Sequence, residues 1–343
     1  MAFDPLAGTP GTCNLSSDQL AAIAGAAAEK LVDDLSRAEA LSKSWQNVEL
    51  GQLLVDHAIS ESLNRLAATG LWGEANQLPS SVFWKTAGPV LEVGWLQHRA
   101  RTKPLGYAGD HEILARMWEK ACCEHPLGRL FDRYFLSLAA PRAVRWRLQH
   151  VASTLVARCL SHSGESYRVV SVGSGPGIDI QMALAALPDE RRRPVRVTLL
   201  DLDPEALEHA ARRILPLVSS DALVCRRENL YRLASNGSLA AELDGADLIV
   251  CTGFFDYLRD EVAAEMLRFF WRRLAPGGQM LVGNFAVHNP TRAYMEWIGN
   301  WYLIYRTADE LRDLAARAGI PADRFSVQTE RSGADLFLVA ENT

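Results

Sequence analysis

One short stretch constrains this chain most: Val169-Val170-Ser171-Val172-Gly173-Ser174-Gly175-Pro176-Gly177-Ile178. An apolar, valine-rich run enters a cluster of three glycines, and a helical pattern leaves it. A short apolar run bounded by glycines reads as a buried strand. Glycine carries no Cβ and accepts positive φ, so such a turn lets backbone approach a ligand closely. Strand, tight turn and helix N-terminus, in that order, open an α/β sheet. In doubly wound sheets the ligand lies outside the carboxyl ends of the strands, where the strand order reverses. Gly173, Ser174, Gly175 and Gly177 are therefore the first cofactor-binding candidates.

The spacing narrows the ligand. A dinucleotide fingerprint G-x-G-x-x-G/A has a small residue one place after Gly177, where this chain has Ile178. The register is instead G-x-G-x-G, which disfavours a nicotinamide dehydrogenase. Downstream, Val195-Arg196-Val197-Thr198-Leu199-Leu200 reads as a second strand and ends in Asp201-Leu202-Asp203-Pro204. An acid at the end of the second strand is placed to accept both hydroxyls of a ribose.

Together these segments resemble the cofactor site of class I S-adenosylmethionine (SAM) dependent methyltransferases. The resemblance implies a Rossmann-like α/β core, mostly parallel, with an antiparallel hairpin at its C-terminal end. It implies that Asp201, with Leu202 beside it, grips the ribose and that the glycine turn carries the methionine end. Ser171 stands where the family often has an acid for the SAM amino group. A third strand, about Leu223–Arg226, leads to Glu228-Asn229-Leu230. The resemblance gives Asn229 the exocyclic amine of adenine and the Leu230 N–H a ring nitrogen; an ordinary turn asparagine reads equally well. The fourth strand, Asp247–Cys251, closes with Thr252-Gly253-Phe254-Phe255-Asp256-Tyr257. This tip borders the transferable group in the family, so Thr252 and Gly253 join the cofactor-binding candidates and Asp256 and Tyr257 the catalytic ones. Asp256 reads at least as well as the cap of a helix around Glu261–Leu274. Pro276-Gly277-Gly278 is read as the turn before a fifth strand, Gln279–Asn284.

The phrase Arg101-Thr102-Lys103-Pro104-Leu105-Gly106-Tyr107-Ala108-Gly109-Asp110 resembles a bacterial subgroup, the "extracellular factor" (3-hydroxypalmitate methyl ester) methyltransferases. Pro141-Arg142-Ala143-Val144, Asn284-Phe285-Ala286, Asn289 to Trp297 and Trp301 to Arg306 carry the same resemblance. It covers most of the chain from about residue 95. It implies a catalytic place for Tyr107 and Asn284 and a cofactor-side place for Asp110. On the residues alone, two glycines around Tyr107 describe a turn that presents an aromatic, as a lid would. Asp110 also sits where a helix cap belongs, and a purely structural turn reads as well.

The N-terminal part is helical in pattern. Ser16 or Ser17 caps a helix whose face is Leu20, Ile23, Ala27, Leu31 and Leu35. A second helix starts near Val48, is lined by Leu50, Leu53, Leu54, Ile59, Leu63 and Leu66, and suits an end at Gly70. The expected organisation is a flexible tail over 1–15, a helical cap or lid over 16–150, and a SAM-binding domain over 151–343 with an aromatic insertion at about 285–306. Spacings of three and four put Tyr294, Trp297, Trp301 and Tyr305 on one helix face. That face either packs as core or walls an acceptor pocket in which tyrosines such as Tyr302 and Tyr305 meet the sulfonium. Aromatic faces attract cations by about 0.5–2 kcal/mol. Arg142, Arg145 and Arg147 flank Trp146 and read as a solvated helix face, with carboxylate binding as the sharper alternative. Thr307 and Glu310 form a capping box, and two strands at about 324–329 and 335–340 make the closing hairpin.

Composition removes other classes. A net charge of −5 offers no basic surplus for nucleic acid. The six cysteines form neither C-x-x-C nor a zinc spacing; no metal is expected, and reduced thiols suit a cytoplasmic protein. No leader pattern opens the chain, and no apolar run nears the ~20 residues that cross a bilayer. Oligomeric state is left open.

The chemistry follows from the cofactor. A sulfonium is a strong leaving group, and displacement needs an in-line nucleophile held at about 3 Å. A hydroxyl or amine acceptor also needs a base, and none is evident near the strand-four tip. The expected function is a SAM-dependent transferase acting on a small molecule in secondary metabolism, with methyl transfer to a carboxylate or an already nucleophilic amine. A SAM cyclase is the alternative: the SAM amine attacks its own γ-carbon, giving azetidine-2-carboxylate and methylthioadenosine. A non-catalytic SAM sensor is a further one.

Overall fold

The computed structural model describes residues 16–235 and 241–343. The tail expected over residues 1–15 lies outside them. The chain separates into two compact units. One runs as far as Arg142 and includes Pro290–Tyr302; the other comprises Ala143–Asn289 and Leu303–Thr343.

The first unit is helical, with helices Ser17–Leu41, Val48–Ala67, Gln77–Leu91, Trp95–Thr102, His111–Glu119 and Pro126–Ser137. Ser16 and Gln19 close a capping box on the first of these, and Ala24, Ala27, Ala28, Leu31 and Leu35 form its buried face. Asn47 caps the second, which buries Gly51, Val55, Ile59, Leu63 and Leu66. Leu53 departs from its expected place on that face and is 69% exposed. Two residues from Gly51 and from Val55, it lies about 200° round the helix from either.

The aromatic segment also departs from expectation. Its helix is the single π-turn Tyr294–Ile298. Gly299 follows, and Asn300 then takes a left-handed φ of 49°, a conformation asparagine tolerates better than most residues. Trp301 and Tyr305 therefore do not continue the Tyr294 face. Tyr294 stacks on Phe135 with ring centroids 4.9 Å apart, and its hydroxyl donates to Gln97 Oε1 at 3.0 Å. Trp297 is fully buried. Buried Glu296 is satisfied by the Gly73 N–H, Asn76 Nδ2 and Arg292 Nε at 2.7, 2.8 and 2.7 Å, as a carboxylate out of water requires.

The second unit is a seven-stranded sheet: β1 Tyr167–Val172, β2 Val195–Asp201, β3 Leu223–Arg227, β4 Ala246–Cys251, β5 Leu274–Phe285, β6 Phe325–Thr329 and β7 Asp335–Glu341. The order is β3-β2-β1-β4-β5-β7-β6. The first five strands pair in parallel; β7 is antiparallel to both β5 and β6. This is the Rossmann-like, mostly parallel sheet with an antiparallel C-terminal hairpin. Buried strands of a parallel sheet carry apolar residues on both faces. Val169, Val197, Leu248 and Val250 cluster with Val151, Leu155, Ile180 and Leu184 on one face. Val170, Ile249, Met280 and Val282 cluster with Met266, Leu267, Phe270 and Leu311 on the other. Pro276-Gly277-Gly278 lies within β5 rather than before it. The β4–β5 register jumps there from Ala246–Leu274 to Leu248–Gln279, so the pairing is interrupted at this point of β5.

The strand order reverses at β1, whose neighbours are β2 and β4. Helices Ile178–Ala186 and Pro204–Ile214 follow β1 and β2. At their contact a Cβ on Gly177 would come within 2.8 Å of the Ala210 Cβ, and Gly177 itself has a φ of +63°. Gly177→Ala combines strain with a clash and is expected to cost about 1–3 kcal/mol; an unchanged denaturation midpoint would contradict this packing. Trp297→Ala is expected to cost about 3–5 kcal/mol through the cavity it leaves, read from the same denaturation curves.

Candidate functional site

The carboxyl ends of β1, β2, β3 and β4 bring one set of segments together. After β1 the chain turns through Gly173, Gly175 and Gly177, all at positive φ. The N–H groups of Gly173 and Ser174 both donate to the Leu200 carbonyl, at 2.8 and 3.1 Å. The turn is thereby fastened across to β2. Asp201 completes the fastening. Its Oδ2 accepts the Gly175 N–H at 2.8 Å, and its Oδ1 accepts the Asp203 N–H at 3.0 Å. An ionised carboxylate has about four acceptor positions, so capacity for a further donor is left. Burial pushes the Asp201 carboxyl up, and its backbone N–H bonds pull it back.

Leu202, 49% exposed, follows at the tip of β2. Asn229 Oδ1 accepts the Tyr231 N–H at 3.1 Å and so opens the 3-10 turn Leu230–Ser235. Leu230 is buried. A Cβ on Gly173 would stand 3.6 Å from both Leu230 Cδ1 and Phe254 Cβ, so the turn, Leu230 and the β4 tip adjoin. Phe254 and Tyr231 meet edge-to-face at 5.2 Å. Phe254 borders Gly173 and Tyr231 packs on Phe254, yet only their proximity in sequence to Leu230 and Gly253 hints at it.

Thr252 and Gly253 follow β4 directly. Asp256 does not cap the next helix, Asp260–Trp271, whose N-cap Arg259 makes no side-chain cap bond. Its Oδ1 instead accepts the Phe285 N–H of β5 at 2.6 Å. Asn284 is fully buried and committed on both sides. Its Nδ2 donates to the Phe285 and Ile304 carbonyls, and its Oδ1 accepts Arg306 Nη1 at 2.5 Å. Arg306 also donates to the carbonyls of Phe255 and Leu258 and to Asp260. It thus ties the β4 tip to β5. Tyr257 and Tyr305 are half-buried members of this second unit.

Tyr107, Asp110 and Tyr302 belong to the first unit. Gly106 and Gly109 take positive φ on either side of Tyr107, which is half-buried. A Cβ on Gly109 would come within 2.6 Å of Trp301. Asp110 caps the helix His111–Glu119, accepting the N–H groups of Glu112 and Ile113, and pairs with Arg99 at 2.7 Å. The Tyr302 hydroxyl donates to Asn76 Oδ1 at 2.7 Å, and burial pushes its phenol up.

One group departs from the solvated helix face expected of it. Arg147 is not on a solvated face; it is 7% exposed. Around it are Asp179, Asp256 and Asp335, all buried. Burial raises each carboxyl, and Arg147 pulls each back; Asp179 is pushed up to about 6. Charge pattern alone cannot tell an arginine under a sheet edge from one in solvent. Among the described residues, no cluster of three or more His, Cys, Asp or Glu could hold a metal, and no helix is long and apolar enough to cross a membrane.

Residues 170–280 match the model of a family described as a methyltransferase domain. No curated protein matches the chain. Among solved structures, a "possible exported protein" from Bordetella parapertussis superposes with a TM-score of 0.53 at 21% identity, over 68% of this chain and 79% of that one. The CMeT domain of the citrinin polyketide synthase superposes with a TM-score of 0.52 at 15% identity, over 84% of this chain and 69% of that one. At such identities the likeness is one of fold.

A raised carboxyl pKa means that the folded state binds the proton more tightly than the unfolded chain. Stability from that source is full below about pH 4 and is lost as pH rises toward 6. Asp179→Asn keeps an acceptor for the Ile180 N–H but cannot ionise. The variant is expected to match the wild type at pH 4 and exceed it at pH 7, by at most on the order of 3 kcal/mol. Parallel urea titrations at the two pH values check this; an unchanged difference contradicts it.

Proposed function

We propose that this chain is a SAM-dependent transferase that moves a methyl group to a small-molecule acceptor, a carboxylate or an already nucleophilic amine. One observation carries the reading: Asp201, at the end of β2, is bonded to the Gly175 N–H of the turn after β1 at the point where the strand order reverses. The family match over residues 170–280 supports it. In this reading the Asp201 carboxylate takes the ribose hydroxyls. Gly173, Ser174 and Gly175 border the methionine end. Leu202, Asn229, Leu230, Tyr231 and Phe254 border adenine, with two aromatic side chains available to a flat ring.

The chemistry asked of the chain is modest. A sulfonium needs an aligned nucleophile more than an activating group, and holding two reactants in place supplies about 7–11 kcal/mol of a barrier. A carboxylate acceptor needs no base. The tip of β4, with Thr252, Gly253, Asp256 and Tyr257, borders the transferable methyl in this reading. Asp256 and Asn284 act as positioning residues, since each is committed to β5 or to Arg306.

Removing the Asp201 carboxylate leaves two ribose hydroxyls without charged acceptors, each such bond being worth about 1.5–3 kcal/mol. Asp201→Ala is expected to weaken SAM binding at least about 100-fold by calorimetry, and unchanged affinity would contradict the cofactor placement. Mass spectrometry of the protein with SAM and a panel of carboxylates and amines is expected to show S-adenosylhomocysteine. Methylthioadenosine accumulating without any acceptor would replace methyl transfer by cyclisation of SAM itself.

A further inference from the structure

Three buried polar atoms near the carboxyl edge of the second unit's sheet have no hydrogen-bond partner: Arg147 Nη1, Asp335 Oδ2 and Ser174 Oγ. They come from three separate segments: the helix before β1, the first residue of β7 and the glycine turn after β1. Arg147 Nη1 and Asp335 Oδ2 stand 3.9 Å apart, beyond hydrogen-bond range. Asp335 is fully buried and Arg147 nearly so. An ion pair at that separation offsets the desolvation of its two groups only in part. Native interiors satisfy almost all such groups, so a set of exceptions in one region points to something that completes them.

The surroundings say what would complete them. The guanidinium reaches the β4 tip, where a Cβ on Gly253 would stand 3.2 Å from Arg147 Nη2. The Phe285 ring lies 6.0 Å from its centre. Asp335 pairs in register with Phe285 at the end of β5. Asp335 Oδ1 is occupied by the Leu336 N–H, so only Oδ2 is open. The Arg147 guanidinium is thus set among Asp179, Asp256 and Asp335, and Arg306 also acts on Asp256. A simple anion would satisfy Arg147 and worsen the crowding of carboxylates. A simple cation would satisfy Asp335 and leave Arg147 Nη1 without a hydrogen bond. A group that brings both charges on neighbouring atoms satisfies both.

We propose that Arg147 and Asp335 form a subsite for a zwitterionic α-amino-acid group, its carboxylate on the guanidinium and its ammonium on the aspartate. This rests on the reading that the chain binds SAM, whose methionine end is such a zwitterion. It also supplies, from β7, an acid for the ammonium that Ser171 cannot provide from β1.

The test compares ligands with and without the amino-acid end, by calorimetry on the full chain. A charge-assisted bond is worth about 1.5–3 kcal/mol, which is about tenfold or more in affinity. Wild type is expected to bind S-adenosylhomocysteine at least tenfold tighter than methylthioadenosine. Arg147→Gln is expected to weaken S-adenosylhomocysteine at least tenfold and leave methylthioadenosine within twofold. Equal affinities in the wild type, or equal losses for both ligands in the variant, would overturn the subsite. Should Arg147→Gln not fold, wild type with decarboxylated S-adenosylhomocysteine decides: about tenfold weaker binding than the parent supports the subsite, and equal binding overturns it. Wild type that binds neither nucleoside removes the SAM reading and this subsite together. Nucleoside binding without discrimination removes the subsite alone.

Discussion

The second unit depends at its functional edge on one hydrogen bond, from the Gly175 N–H to Asp201 Oδ2. It joins the turn after β1 to the end of β2 through a side chain rather than through the sheet ladder. A second fastening, from Gly173 and Ser174 to the Leu200 carbonyl, sets the height of the turn above the sheet. With both in place the three positive-φ glycines have one path to follow. The same carboxylate keeps acceptor capacity open at the rim. One residue thus shapes the loop and presents chemistry to whatever lies above it.

Cohesion elsewhere at this edge comes from buried charge that is bonded in full. Arg306 gathers the carbonyls of Phe255 and Leu258 with Asn284 and Asp260. Asp256 holds the Phe285 N–H. These bonds tie the β4 tip to β5 and spare the polar groups the cost of burial. The Arg147–Asp335 pair breaks that rule within the same region, which is why it stands out. In the first unit, Glu296 follows the rule with three donors.

The sheet was legible because its signals are local. The β-rich run before Gly173, the acid after Leu200 and the Thr307–Glu310 capping box each declare themselves within a few residues, and all form as read. The carboxyl-edge residues are adjacent for the same reason: the strand order brings strand ends together whatever the loops do. What the sequence hid depends on distant partners. Arg147 looks solvated until β7 supplies Asp335. Asp256 looks like a cap until β5 offers the Phe285 N–H. The aromatic segment has helical spacing throughout, but the left-handed Asn300 ends the helix after Ile298. Leu53 shows the remaining failure, an apolar residue counted by type rather than by its angle round the helix.

Hydrogen exchange of the full chain, followed by mass spectrometry with and without S-adenosylhomocysteine, tests the central claim most directly. The account predicts slowed exchange in three separated peptides, those covering 173–177, 201–203 and 228–231, with little change along β6. Protection confined to other segments, or none at saturating ligand, would contradict a cofactor site at the carboxyl edge of this sheet.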